Sequence, residues 1–173
     1  MELWDLYTNE REKTGLVMKR GEPMPEGYCR LVVHICVFNT AGELLIQHRH
    51  PEKGVFPSLW DLSAGGCAVA GETSRTAAAR ELYEELGITH DFTADTPAFT
   101  VYFEEGFDDY YFIKADLDPA TLRLQAEEVT AVRYAGYDDV MALYRAGGFI
   151  PYREKLLDLI FDAGKVGHVH LFC

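Results

Sequence analysis

Glu81, Glu84 and Glu85 stand at i, i+3 and i+4 in one short stretch of the chain. On a helix that spacing gathers all three carboxylates on one face. Like charges packed that closely repel and weaken an isolated helix. A hard divalent cation, which takes oxygen ligands, is the natural offset to that repulsion. Arg80 directly precedes the first of the three, and a glycine-rich run that includes Gly65, Gly66 and Gly71 leads into Glu72 upstream. The chemistry on offer is that of carboxylates holding a metal ion, with one of them free to take a proton.

Those residues need a loop and a helix to hold them. A helix over Ser74–Leu86 fits: Thr73 or Ser74 can cap its first turn with a hydroxyl, and Gly87 can take the left-handed conformation that ends it. Ala78, Leu82 and Leu86 form an apolar stripe for packing on a sheet, which leaves an adjacent face for the carboxylates. Upstream, Leu3–Tyr7 and Leu16–Lys19 read as strands around a polar turn at Thr8–Gly15, and Gly21–Gly27 as a loop. Arg30–Phe38 and Leu44–His48 read as a hairpin closed by Asn39–Gly42. His50–Ser58 reads as a loop, and Trp60–Ala64 as one strand running into Gly65-Gly66. Downstream, Ala98–Phe103 and Tyr110–Lys114 read as strands joined by a loop over Glu104–Asp109, and Leu117–Gln125 as a loop. Val129–Tyr134 reads as a further strand, and Tyr137–Ala146 as a helix. A last helix opens at Pro151 and runs to about Phe161; residues 164–173 carry no clear signal. Mixed strands with a few helices indicate an α+β or layered α/β/α fold. The length of 173 residues fits one domain over 1–173, with 1–28 as an N-terminal extension.

The composition narrows the partners. A formal net charge of −12 makes the chain a poor holder of a nucleic-acid backbone or an anionic membrane. A small anionic substrate remains compatible if metal ions supply the positive charge. Cys29, Cys36, Cys67 and Cys173 show no C-x-x-C spacing, so neither a zinc knuckle nor a redox pair is indicated. The N-terminus lacks the pattern of a signal peptide and no run is long and apolar enough to span a bilayer. The expectation is a cytoplasmic protein with reduced thiols. The N-terminal strands can pair with a second subunit, giving a homodimer, or cap the monomer's own sheet.

Gly66, five residues, Glu72, seven residues, Arg80-Glu81-Leu82, one residue, Glu84-Glu85, one residue, Gly87-Ile88 resembles a complete Nudix box, with every defining position filled. The similarity extends upstream through Gly42–Gln47 and Trp60–Gly66 and is only general beyond Ile88. The resemblance implies an α/β/α sandwich with a central mixed sheet and a loop–helix site. It also implies a hydrolase of nucleoside diphosphates linked to another moiety, working with Mg²⁺ or Mn²⁺. Carried over residue by residue, Glu81, Glu84 and Glu85 would be metal ligands, together with the carbonyl of Gly65 or Gly66. Arg80 would orient a box glutamate, and Glu72 would hold the loop against the helix. Glu84 or Glu85 could accept the proton of the attacking water. In some relatives a later loop supplies that base, and Glu104, Glu105, Asp108, Glu127 and Glu128 are the carboxylates placed to do so.

Plainer readings stand beside these. Glu-rich helix surfaces are usually solvated faces, and Arg80 pairs naturally with Glu84 at i+4. Glu104-Glu105 reads equally well as an exposed turn. His48 and His50 lie near a strand end beside Arg49 and suit surface or substrate-edge contacts better than a metal. Trp60, Phe103, Tyr110 and Tyr111 belong to the core by residue type, with one or two able to stack on a base. Trp60-Asp-Leu-Ser before the glycine pair is similar to the branch near isopentenyl-diphosphate isomerases. Those enzymes shift a double bond with a catalytic cysteine and histidine metal ligands. Here Gly65 falls at the isomerase cysteine, Cys67 at one histidine ligand, and Pro23 and Arg30 at the others, while all the box carboxylates are kept. Hydrolysis therefore fits better than isomerisation. A binding module without catalysis fits less well, because the box is intact.

Overall fold

A computed structural model describes residues 2–166. In chain order the elements are β1 (Leu3–Tyr7), β2 (Lys13–Lys19), β3 (Arg30–Phe38), β4 (Leu44–Arg49), β5 (Trp60–Asp61), β6 (Ala64–Cys67) and α1 (Ser74–Leu86). There follow β7 (Phe99–Phe103), β8 (Gly106–Lys114), a 3₁₀ turn at Pro119–Thr121, β9 (Val129–Ala135), α2 (Tyr137–Arg145) and α3 (Glu154–Val166). Among the described residues, seven strands form a mixed sheet with the path β5-β4-β3-β8-β7, with β6 added to β3 and β9 to β4. The mixture comes from one parallel pairing, β3 with β8, along nine register positions from Arg30↔Gly106 to Phe38↔Lys114.

The two-residue alternation of β3 explains the layers. Leu31, Val33, Ile35 and Val37 pack with Ala77, Ala78, Leu82 and Leu86 of α1. Cys36 and Phe38, on the opposite face, pack with Val140 and Met141 of α2 and Leu157, Ile160 and Phe161 of α3. Helices therefore cover both faces of the sheet, as the α/β/α expectation required.

The two long central strands part early. β3 and β4 are paired at Phe38↔Leu44 alone, and then diverge. Ser63 spans the opening: its hydroxyl donates to the Leu45 carbonyl at 2.5 Å and accepts the Val37 N–H at 2.8 Å. This crossing corrects the reading of Trp60–Gly66 as one strand. β5 pairs with β4, and after Leu62-Ser63 the chain passes over to β3 as β6.

Three further expectations change. The loop over Glu104–Asp109 shrinks to Glu104-Glu105, because β8 begins at Gly106. Asp109 is buried there, accepting bonds from Arg11, Ser74 and Thr100 at 2.6–2.7 Å. Pro151 does not open the last helix. Tyr152 is drawn into a bond to buried Asp61, so the helix starts three residues after the proline, at Glu154. It then continues past Phe161 through Gly164, where the Phe38 ring leaves no room for a side chain. The rest of the unassigned tail, 167–173, lies outside the described residues. The N-terminal hairpin packs on its own chain: Tyr7 exchanges backbone bonds with Cys29, and the Leu3 carbonyl accepts from Ala70.

Candidate active site

The loop and helix that carry the carboxylates are built as their residues require. Thr73 caps α1 by accepting the Thr76 N–H, and Thr76 returns the bond to the Thr73 N–H, a reciprocal cap. Gly87 ends the helix at φ 69°, and Gly71 turns the loop at φ 92°. Both are left-handed values that a side chain disfavours. Gly71 donates its N–H to Asp5 of β1 at 2.8 Å, which ties the loop to the N-terminal hairpin.

Arg80 organises the loop. Its Nε and Nη2 donate to the two oxygens of Glu72 at 2.7 and 3.0 Å. Nη1 donates to Glu81 at 2.9 Å and to Glu84 at 3.0 Å, and Nη2 also reaches the Cys67 carbonyl at 3.1 Å. Glu72 in turn accepts the Val69 N–H at 2.9 Å, closing the loop on itself. Burial opposes the guanidinium charge, but Glu72 and Glu81 more than offset it and raise the Arg80 pKa.

The three glutamates share a face by sequence, but their surroundings differ sharply. Glu84 is half exposed, with 49% of its side chain open. Glu81 is largely covered and lies against Gly66, where any β-carbon would overlap its carboxylate. Glu85 is 3% exposed. Its Oε2 accepts Gln47 Nε2 of β4 at 2.9 Å and the Gly65 N–H at 3.1 Å, so it plugs the opening between β3 and β4. Burial and then the charge of Glu81 push the Glu85 pKa up, against the bonds from Gln47 and Gly65 and the charge of Lys53. Burial likewise pushes Glu81 up, partly countered by Arg80. Two covered carboxylates thus face each other with too little positive charge between them.

Their free atoms point outward. Among the described residues, neither Glu85 Oε1 nor Glu81 Oε2 accepts a protein hydrogen bond. Among the described residues no buried side-chain polar atom lacks a partner, so both oxygens reach solvent. They do so in a cleft of about 920 Å³ that Glu81, Glu84, Glu85, Gly65 and Gly66 help to line. The bond from the Gly65 N–H sets the Gly65 backbone beside Glu85. Among the described residues, no group of three or more His, Cys, Asp or Glu side chains is arranged to hold a metal ion by itself. A donor set of two or three carboxylates and a carbonyl suits a cation that keeps its own waters and shares ligands with a phosphate.

The late carboxylates separate. Asp108 lies in β8 and lines the cleft, its Oδ2 3.7 Å from His34 Nε2. Glu105 is exposed and accepts Arg30 at 2.7 Å; Glu104 is exposed in the turn. Glu127 and Glu128 line the cleft from the segment before β9. Glu128 is paired with Lys53 of the 50–58 loop, and burial and Arg49 hold that ammonium below its ordinary value while Glu85 and Glu81 oppose the shift. His48 bonds Thr130 at 2.8 Å, away from the carboxylates.

Several residues of this site escaped the sequence reading. Gln47 is a polar residue directly after the apolar run Leu44–Ile46, which is a signal of a buried partner. Lys53 gave no local signal. Asp61, buried beneath Tyr152 and Arg49 at 2.7 and 3.2 Å, was hidden by the assumption of one continuous strand. Glu2, Trp4 and Arg20 of the N-terminal hairpin also line the cleft.

Known proteins of the same family and fold are similar to this chain. The NUDIX domain family matches residues 29–156. A Nudix hydrolase of Listeria monocytogenes is 49% identical over 170 residues, covering 98% of this chain and 99% of the relative. An isopentenyl-diphosphate Delta-isomerase of Pectobacterium atrosepticum is 28% identical over 144 residues, covering 78% and 77%. A solved structure of a Deinococcus radiodurans protein superposes with a TM-score of 0.74 at 26% identity, covering 92% of this chain and 97% of that one. With a filled box, a loop–helix that presents its carboxylates to a cleft, and a full-length relative of the same kind, the chain belongs to the Nudix hydrolase family, enzymes that act on pyrophosphate bonds.

Proposed function

We propose that the protein hydrolyses the pyrophosphate of a nucleoside diphosphate linked to another moiety, or a related nucleotide, with Mg²⁺ or Mn²⁺. The observation that carries this reading is the pairing of Glu81 with Glu85. Two covered carboxylates, each with one oxygen turned to the cleft, gain most from a divalent cation. Glu81, Glu84, Glu85 and the Gly65 carbonyl would hold it. When bound, the ion neutralises the diphosphate and lowers the pKa of water.

The chain's own residues supply the rest. Arg80 fixes Glu81 and Glu84 while clamping the loop through Glu72. Gln47 and the Gly65 N–H hold one oxygen of Glu85 and leave the other for the metal or for the water's proton; where it takes the metal, exposed Glu84 is the acceptor of that proton. Asp108 and Glu128 stand on other walls of the cleft as the alternative acceptors. Lys53 offers a positive charge to a phosphate that displaces Glu128 from it.

Isomerisation is less well supported, since burial pushes the Cys67 thiol up to about 11 and Gly65, which has no acid or base to offer, falls at the isomerase cysteine. A screen of nucleotides and nucleotide sugars, with Mg²⁺ or with EDTA, tests the proposal. Metal-dependent release of a nucleoside monophosphate or phosphate supports it. Failure to cleave any of them, together with conversion of isopentenyl to dimethylallyl diphosphate, would replace it with the isomerase reading.

A further inference from the structure

Arg30 of β3 lies between two aromatic rings at the mouth of the cleft. Its guanidinium carbon is 5.7 Å from the centroid of Trp4 and 5.4 Å from that of Phe103. All three residues line the cleft. They come from three separate elements, β1, β3 and β7, so their meeting is a product of the fold.

Each is held in place by a specific feature. Trp4 Nε1 donates to Glu2 at 2.7 Å, which fixes the indole. Arg30 Nη1 donates to Glu105 at 2.7 Å, which fixes the guanidinium. Phe103 can fold onto β3 because its register partner is Gly106; a β-carbon there would stand 2.9 Å from the Phe103 ring. Phe103 remains 36% exposed, although the neighbouring aromatics of β8, Tyr110 and Tyr111, are buried to about 1%. An exposed ring on a fixed backbone, beside a second ring and a planar cation, is a stacking platform.

The platform's place relative to the carboxylates is also informative. Four residue steps along extended β3 lead from Arg30 to His34, the register partner of Gly65, which is about 13 Å at the rise of a strand. That separates the platform from the carboxylate end by a distance comparable to that between the base and the phosphates of a nucleotide. Arg20 lies on the same wall and accompanies Glu2 at 2.8 Å, so the surroundings are charged. A charged rim suits an aromatic heterocycle with polar edges better than an alkyl chain.

Resting on the proposed hydrolase reading, we infer that Trp4, Arg30 and Phe103 form the subsite that holds the base of a nucleoside diphosphate substrate. The N-terminal hairpin, which lies outside the matched family segment, is then a specificity element of the enzyme. Base stacking on an aromatic side chain is worth roughly 1–3 kcal/mol, or about 5- to 150-fold in affinity.

The test uses full-length enzyme with Mg²⁺, ADP-ribose as base-bearing substrate and isopentenyl diphosphate as base-free comparator. Trp4→Ala and Phe103→Ala should each raise KM for ADP-ribose by roughly 5-fold or more, with kcat within about twofold. Trp4→Phe, which keeps a stacking ring, should restore most of the loss. Trp4 and Trp60 are the two tryptophans of the chain, so in Trp60→Phe the emission of Trp4 should respond to added ADP. An unresponsive Trp4 with an unchanged KM in Trp4→Ala would overturn the inference. So would a KM effect confined to isopentenyl diphosphate. If the wild type cleaves no diphosphate and ADP still perturbs Trp4, the subsite stands and the hydrolase reading fails.

Discussion

Arg80 and Glu72 are joined by two hydrogen bonds, Nε to one carboxylate oxygen at 2.7 Å and Nη2 to the other at 3.0 Å. This forked pair fastens the loop that starts at the glycines to the helix that carries the glutamates. A lysine cannot reproduce it. Arg80→Lys and Glu72→Ala should each lower stability by about 2 kcal/mol in denaturant titrations. Activity should fall by more than tenfold, because the loop is no longer held in register with the helix. Wild-type activity in either variant would detach the clamp from function.

Glu85 gives a pH signature to the metal-free protein. Its pKa is raised in the folded state by burial and by Glu81. The folded state therefore holds a proton that the unfolded chain releases at lower pH. The resulting stability is complete below the ordinary glutamate range and is lost as pH rises through the elevated folded value. In EDTA, Tm should decline as pH is raised from about 5 toward and above neutrality. Glu85→Gln should flatten that decline, and added Mg²⁺ should reduce it by favouring the ionised pair. An identical slope in wild type and Glu85→Gln would contradict this placement of the charge.

Much of this was legible in the sequence, and the limits follow a physical pattern. The helix Ser74–Leu86, its Thr73 and Gly87 caps and its apolar stripe could be read because they are local and periodic. The facing of helices on both sides of the sheet followed from mixed elements. What could not be read depends on distant partners. Glu81, Glu84 and Glu85 have the same side chain, and only β4 and β6 make Glu85 the buried one. Asp109 looked like part of a loop, yet Arg11 and Ser74, 98 and 35 residues away, make it a buried anchor. Trp60–Gly66 looked continuous because Ser63, which breaks it, does so by bonds to two other strands.

Lys53 of the 50–58 loop lines the cleft, paired with Glu128, and is proposed to meet a substrate phosphate there. Lys53→Ala should lower kcat/KM by roughly tenfold, the cost of about 1.4 kcal/mol of transition-state binding. Glu128→Gln should change KM as well, since it releases the same ammonium. Kinetics for both variants unchanged from wild type would make the pair a purely structural latch.

Cys67 should be chemically quiet. With its thiol pushed up to about 11 by burial, little thiolate is present near neutral pH. Iodoacetamide should label the Cys67 peptide slowly, as read by mass spectrometry, and Cys67→Ser should keep hydrolytic activity within about twofold. Rapid labelling, or loss of activity in the serine variant, would give this cysteine a chemical role.

Glu85, beside Glu81, is the residue proposed to make the cleft a metal-dependent hydrolase site. The direct measurement is kcat/KM for a cleaved nucleotide substrate in Mg²⁺, for wild type and Glu85→Gln of equal folded content. The variant should lose on the order of 10²–10⁴-fold, and EDTA should abolish the wild-type activity. Equal rates in the two proteins, or full activity in EDTA, would contradict it.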